Sequence, residues 1–138
     1  YDLGTLYATG TGTTANIFEA ARWIGRAAAA GNVDAQVDFG ILLFKGHGLA
    51  ADEVRGAWYF KTAAEKGNPV AQNRYARCLA HGAGVEMNLV EAVKWHLIAK
   101  QGGIEDKSLD EIANKLSRND RLTAERAAFA WSEQALLN

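Results

Sequence analysis

Cysteine, proline and long apolar runs are scarce in this 138-residue sequence. The single cysteine, Cys78, excludes an internal disulfide. The longest apolar runs are far too short to span a bilayer, so we expect no direct membrane insertion. Abundant alanine, one proline and scattered β-branched residues favour helices throughout, and we predict an all-α fold.

An excess of charge of either sign is also missing. Fifteen basic and sixteen acidic residues leave a net charge of −1, and no block of like charge occurs. This balance lacks the electrostatic footprint of a nucleic-acid-binding protein or of a polybasic membrane binder. We therefore expect a globular domain that does not bind nucleic acid.

Glycine, in contrast, recurs at a fixed interval. Three Gly-x-Gly pairs stand 36 residues apart: Gly10 and Gly12, Gly46 and Gly48, and Gly82 and Gly84. A phosphate-binding loop needs a strand before its glycines and is needed only once. Here the preceding segments have helical periodicity, so the repeat indicates stacked helix pairs. We expect the first glycine of each pair to end a helix and the second to let two helices approach closely.

Other residues recur in the same register. The aromatic positions are Trp23, Tyr59 and Trp95, and the candidate helix N-caps are Asn16, Asp52 and Asn88. Because each repeat must bury its face against its neighbour, we predict that the aromatic residues are largely buried between successive helix pairs. The polar residues are predicted to cap the second helix of each unit.

The period divides the chain into four parts: units 1–34, 35–70 and 71–106, and a terminal helix pair in 107–138. Helices are predicted near 1–9, 15–30, 34–45, 52–66, 70–81 and 88–101, and again over 108–116 and 122–137. The terminal pair departs from the pattern and suits a solenoid cap. Tyr1 aligns with Val37, so we expect the first unit to lack the start of its first helix and the chain to be a piece of a longer protein.

Together these residues resemble the Sel-1-like repeat family, which is related to tetratricopeptide repeats. The pattern runs as Leu3-Gly4, Tyr7, Gly10-x-Gly12, Ala20-x-x-Trp23, Ala27-Ala28 and Gly31, and returns in the next two units. Two departures are Gly56 in place of an alanine and Ala76 in place of a helix-packing glycine. The resemblance implies a right-handed α-solenoid that acts as a protein–protein interaction scaffold. Many bacterial members are exported, which favours a periplasmic location.

One cluster offers an alternative function as an enzyme or metal-dependent module. Cys78 and His81 lie at i and i+3, and His47 lies in the neighbouring turn. Cys78, however, shares its register position with Leu42, which favours a buried, inert thiol, and structural zinc normally needs four ligands. No serine lies in a Ser-x-x-Lys or Gly-x-Ser-x-Gly motif. We predict no enzymatic activity, no metal and no cofactor, and we expect His96 to be exposed.

A partner-binding surface is predicted on the first helices of the units, which line the concave face of such solenoids. After the core positions are removed, a second stripe remains. Its predicted contact residues are Val37, Ile41, Phe44, Lys45, Asn73, Arg77 and His81. If its apolar members are exposed together, they indicate an interaction patch. The alternative, equally open from sequence, is that they pack against neighbouring first helices.

Overall fold

A computed structural model describes residues 14–137, and within this range the chain forms seven helices and no strand. The helices are α1 (Thr14–Ala29), α2 (Val33–Lys45), α3 (Glu53–Glu65), α4 (Pro69–His81), α5 (Leu89–Gln101), α6 (Lys107–Lys115) and α7 (Arg118–Leu137). The predicted helix over 1–9 and the glycines Gly10 and Gly12 lie outside the described residues. The all-α class predicted from sequence is confirmed.

Polar caps start the helices where the repeat pattern places them. The side chains of Asp52 and Asn88 accept hydrogen bonds from the backbone N–H three residues later, at the starts of α3 and α5. Asn32 and Asn68 do the same for α2 and α4. The predicted cap at Asn16 is wrong, because α1 already begins at Thr14 and Asn16 lies within the helix.

The glycine turns have the predicted geometry. Gly46 and Gly82 end α2 and α4 in the left-handed region, with φ of 69° and 68°. The second glycine of each of these two pairs lies against the preceding unit. A Cβ at Gly48 would stand 2.8 Å from the carbonyl oxygen of Ile17, and one at Gly84 would overlap the carbonyl of Glu53. In these two described turns the glycines therefore end helices and permit close packing, and helices rather than strands precede them.

Successive helices pack against their neighbours to form a solenoid of helix pairs. We call α2 and α4 the first helices of their units, and α1, α3 and α5 the second helices. Buried glutamines join one unit to the next: Gln36 Nε2 donates to the carbonyl of Ala28, and Gln72 Nε2 donates to that of Ala64, each at 3.2 Å. The apolar face of α2, formed by Ala35, Phe39, Leu42 and Leu43, is buried in the core.

The aromatic row is buried at one end of the solenoid only. Trp95 is 4% exposed, and its ring makes edge contacts with Tyr75 at 6.0 Å and with Trp131 at 5.6 Å between centroids. Tyr59 is half-buried against Phe39. Of these two residues, only Trp95, next to the terminal pair, is fully buried.

Trp23, at the same register position, is 56% exposed. The prediction that it is largely buried is therefore wrong. The guanidinium carbon of Arg26 lies over the Trp23 ring, 5.3 Å from its centroid. Trp95, in contrast, lies between the rings of Tyr75 and Trp131.

The terminal pair keeps part of the register although it lacks the glycine turn. Trp131 follows Trp95 by 36 residues, and α7 packs mainly on α5. Helix α7 begins at Arg118, four residues before the predicted start, because Ser117 Oγ accepts a hydrogen bond from the N–H of Asp120 at 3.1 Å. None of the helices in residues 14–137 combines the length and the hydropathy needed to cross a bilayer.

Candidate partner-binding cleft

Five of the seven predicted contact residues line one cleft. Ile41, Phe44 and Lys45 of α2 face Arg77 and His81 of α4 across a space of about 170 Å³. Phe60, Arg74, Cys78 and Ala83 complete the lining. The cleft therefore lies between the first helices of two successive units, where the stripe was predicted.

The other two predicted residues are buried beneath this surface. Val37 belongs to the main core cluster, so the alternative that the stripe packs against its neighbours holds at this position. Asn73 is also buried, and its Nδ2 donates a hydrogen bond to Asp106 Oδ2 at 3.0 Å. Neither Val37 nor Asn73 is therefore exposed on the stripe.

The floor of the cleft is apolar and tightly packed. Phe44 stacks on Phe60 with ring centroids 5.4 Å apart and an angle of 24° between the planes. Gly56, the departure from the family pattern, makes room for this ring, because a Cβ at Gly56 would lie 2.5 Å from Phe44 Cδ2. Phe44 and Ile41 are both half-buried, so each presents part of its surface to the cleft.

The rim of the cleft is basic. Lys45 and His81 are exposed at the ends of α2 and α4, and Arg74 is half-buried beside them. The Arg77 side chain is 52% exposed, and its Nε donates to Asp106 Oδ2 at 2.8 Å. The Nη nitrogens of Arg77 form no hydrogen bond with any described residue. They are therefore available to an acceptor on a partner.

Asp106 holds Arg77 in place and also starts α6. Its buried carboxylate accepts hydrogen bonds from Asn73, Arg77 and the backbone N–H of Leu109. Burial alone would raise the pKa of Asp106, but these hydrogen bonds and the charge of Arg77 outweigh it and lower the pKa to about 2. The carboxylate is thus ionised at neutral pH and connects the cleft to the terminal pair.

Cys78 is a buried thiol in the cleft wall. Burial first, and then the negative charge of Glu53, raise its pKa to about 12. A thiol with such a pKa is neither an effective nucleophile nor a ready metal ligand at neutral pH. Over residues 14–137, no three histidine, cysteine or acidic side chains come together to hold a metal ion.

His96 is buried, so the expectation that it is exposed is wrong. Its imidazole is 1% exposed, and Nε2 lies 2.6 Å from Asp110 Oδ1. Nδ1 has no hydrogen-bond partner among residues 14–137. The hydrogen bonds from His96 and then from Lys100 lower the pKa of Asp110. The terminal pair supplies this partner from 14 residues further along the chain, which local sequence could not reveal.

Comparisons with known proteins agree with the repeat architecture. The family model described as Sel1 repeat matches residues 1–32, 33–68 and 69–104. No curated protein matches the sequence. Among solved structures, a protective antigen of uropathogenic Escherichia coli with an SLR fold is 27% identical, with a TM-score of 0.80, over 94% of this chain. A Sel1 repeat protein from Oxalobacter formigenes is 23% identical, with a TM-score of 0.71, over 96% of this chain. The alignments cover 28% of the first protein and 56% of the second.

Proposed function

Because the chain belongs to the Sel1 repeat family, whose members are generally protein–protein interaction scaffolds, we propose that it is a non-catalytic scaffold that binds a protein or peptide in the cleft between α2 and α4. The observation that supports this proposal is that one cleft is lined by Ile41, Phe44, Lys45, Arg77 and His81. Residues from two repeats converge there, as expected for a surface made by stacking.

The size of the cleft favours a side chain of a partner over a free small molecule. Pockets for drug-sized ligands are typically about 300–1,000 Å³, whereas this cleft is about 170 Å³. One large apolar side chain would fill it, resting on the exposed edges of Ile41 and Phe44. Aromatic residues and arginine commonly dominate the binding energy of such sites.

The basic rim defines the chemistry of the partner further. Lys45, Arg74, Arg77 and His81 surround the apolar floor. The Arg77 fork suits a carboxylate or backbone carbonyls. The preferred ligand is therefore a peptide in which a large apolar side chain stands next to an acidic residue or a terminal carboxylate.

The alternative function as an enzyme or metal-dependent module receives little support. Cys78 is buried with a raised pKa. His81 and His47 are exposed, and with Cys78 they form no metal-binding group of described residues.

The terminal pair is proposed to be a cap, since α7 covers α5 and places Trp131 against Trp95.

Photo-crosslinking in cells tests the cleft. The full-length protein would carry p-benzoylphenylalanine at position 45 or 81, at the rim, or at position 61, on the exposed side of the second helix α3. We expect adducts with a partner from positions 45 and 81 and none from position 61. The charge reversal Lys45→Glu should reduce the adduct formed at position 81 several-fold, whereas Lys61→Glu should not. Adducts of equal yield from all three positions would contradict the proposal.

A further inference from the structure

A second concave surface lies between α1 and α3, the second helices of the first two units. It has a volume of about 410 Å³, and three arginines line it: Arg22, Arg26 and Arg55. Its walls include the rings of Phe39 and Tyr59. We call this surface the arginine groove.

The sequence builds the groove from simple elements. Arg22 and Arg26 stand at i and i+4 of α1, so they lie on one face of that helix. Arg55 comes from the first turn of α3. Gly25, between the two arginines of α1, keeps the floor open: a Cβ there would lie 3.1 Å from two carbons of the Phe39 ring. The three arginine side chains thus line a gap with an aromatic wall, and the guanidinium carbon of Arg26 also lies 5.3 Å from the centroid of the Trp23 ring, which is not part of that wall.

None of the three arginines of the groove forms an ion pair within 4.0 Å with a described residue. The four ion pairs formed among described residues involve Arg77, Lys94, His96 and Lys100, and none includes an arginine of the groove. The guanidinium carbon of Arg55 instead lies 5.8 Å from the ring centroid of Phe39. Three like charges around one concavity repel each other, and an anionic ligand would relieve that repulsion.

The repeat itself supplies an internal comparison. One period of 36 residues further on, the positions of Arg22, Arg26 and Arg55 carry Trp58, Thr62 and Glu91. The fold therefore does not require arginine at these positions. The three arginines are a property of this groove and not of the repeat architecture.

We propose that the arginine groove binds an acidic segment of a partner polypeptide. Carboxylates of the segment pair with the guanidinium forks, and the aliphatic parts of its side chains pack on Phe39 and Tyr59. This site goes beyond the cleft, because it lies between second helices and shares no lining residue with the cleft. The scaffold would then hold two segments at once, one on each side of the solenoid.

An NMR titration of the ¹⁵N-labelled chain tests the proposal. The probe is hexaglutamate with an acetylated N-terminus and an amidated C-terminus, which offers carboxylates but lacks the large apolar side chain preferred by the cleft. We expect shift changes at Gly25, Gly48 and Tyr59, with affinity that falls as salt is added. The triple variant Arg22→Gln, Arg26→Gln, Arg55→Gln should bind about tenfold more weakly.

The matched control removes the same number of charges elsewhere. Lys107→Gln, Lys115→Gln and Arg126→Gln change exposed residues of the terminal pair, and this variant should bind within about twofold of the unmodified chain. Equal weakening of both triple variants, shift changes confined to the cleft, or no shift changes would each overturn the proposal. None of these results would alter the crosslinking test of the cleft.

Discussion

The ring of Phe44 occupies the space above Gly56, where a Cβ would lie 2.5 Å from ring carbon Cδ2. The relationship is reciprocal, since a Cβ at Gly40 would lie 2.6 Å from Cε1 of Phe60. Two glycines thus let α2 and α3 cross closely while two rings stack beside them. The floor of the cleft is therefore part of the packing between these helices, and a change at Gly56 reaches the binding surface.

The variant Gly56→Ala should lower the free energy of unfolding by about 1 kcal/mol. The added methyl must displace the Phe44 ring, which costs roughly 1–3 kcal/mol. The better helix propensity of alanine returns about 1 kcal/mol. Urea denaturation followed by circular dichroism measures the difference. In a Phe44→Ala background the ring is gone and only the tight contact with the carbonyl oxygen of Gly40, at 3.0 Å, remains, so Gly56→Ala should cost less there. The same loss in both backgrounds would show that the ring is not the cause.

The two tryptophans at one register position should differ strongly in their contribution to stability. Trp95→Ala should cost roughly 3–5 kcal/mol, because it empties a buried site between Tyr75 and Trp131. Trp23→Ala should cost about 0.5 kcal/mol or less, because its side chain is exposed. Urea midpoints of the two variants give the comparison. Equal losses of unfolding free energy in the two variants would contradict the packing described for Trp23, for Trp95 or for both.

Asp110→Ala should destabilise the chain by roughly 1–3 kcal/mol, because it leaves the buried Nε2 of His96 without a partner. Chemical denaturation at pH 7 measures the loss. Asp110→Asn keeps an acceptor in place and should lose less than half as much. Glu111→Ala, an exposed neighbour on α6, is the control and should be nearly neutral. A neutral Asp110→Ala would show that the hydrogen bond does not hold the terminal pair.

The stability of the protein should fall between about pH 4 and pH 2 through Asp106. Its pKa in the folded state is about 2, below the value near 4 of an unfolded aspartate. The ionised carboxylate therefore stabilises the fold above pH 4, and this contribution is lost as pH falls toward 2. By linkage the contribution at neutral pH is about 2 kcal/mol.

Asp106→Asn supplies the matched comparison, since asparagine can still cap α6. The difference in unfolding free energy between the two proteins should be largest at pH 7 and should shrink as the pH is lowered to 2.5. A difference that does not depend on pH would show that the Asp106 carboxylate is not the titrating group.

The architecture could be predicted from sequence because the repeat fixes it locally. For α2 to α5, the predicted bounds differ from the structure by at most one residue, since Asn and Asp caps and glycine turns mark most of the ends. Gly46 and Gly82 have the positive φ that their spacing indicated. Cys78 is buried as its register position predicted.

Exposure could not be predicted equally well, because it depends on what covers each residue. His96 is buried and its imidazole contacts Asp110 on α6. Asn73 is buried and its amide donates to Asp106. Trp23 and Trp95 share a register position but differ in their neighbours. The arginine groove was also missed. Comparing equivalent positions between repeats would have revealed it, since Arg22, Arg26 and Arg55 all stand where the next unit has other residues.

The uneven burial of the aromatic row gives the two ends of the solenoid different optical properties. Trp23 and Trp58 face solvent, whereas Trp95 is enclosed and packs against Trp131. The first pair should therefore emit at long wavelength whether or not the chain is folded. A red shift on heating would come almost entirely from the second pair. Intrinsic fluorescence would report the opening of the C-terminal end, and circular dichroism the loss of all helices. A gap between the two melting curves would show which end unfolds first.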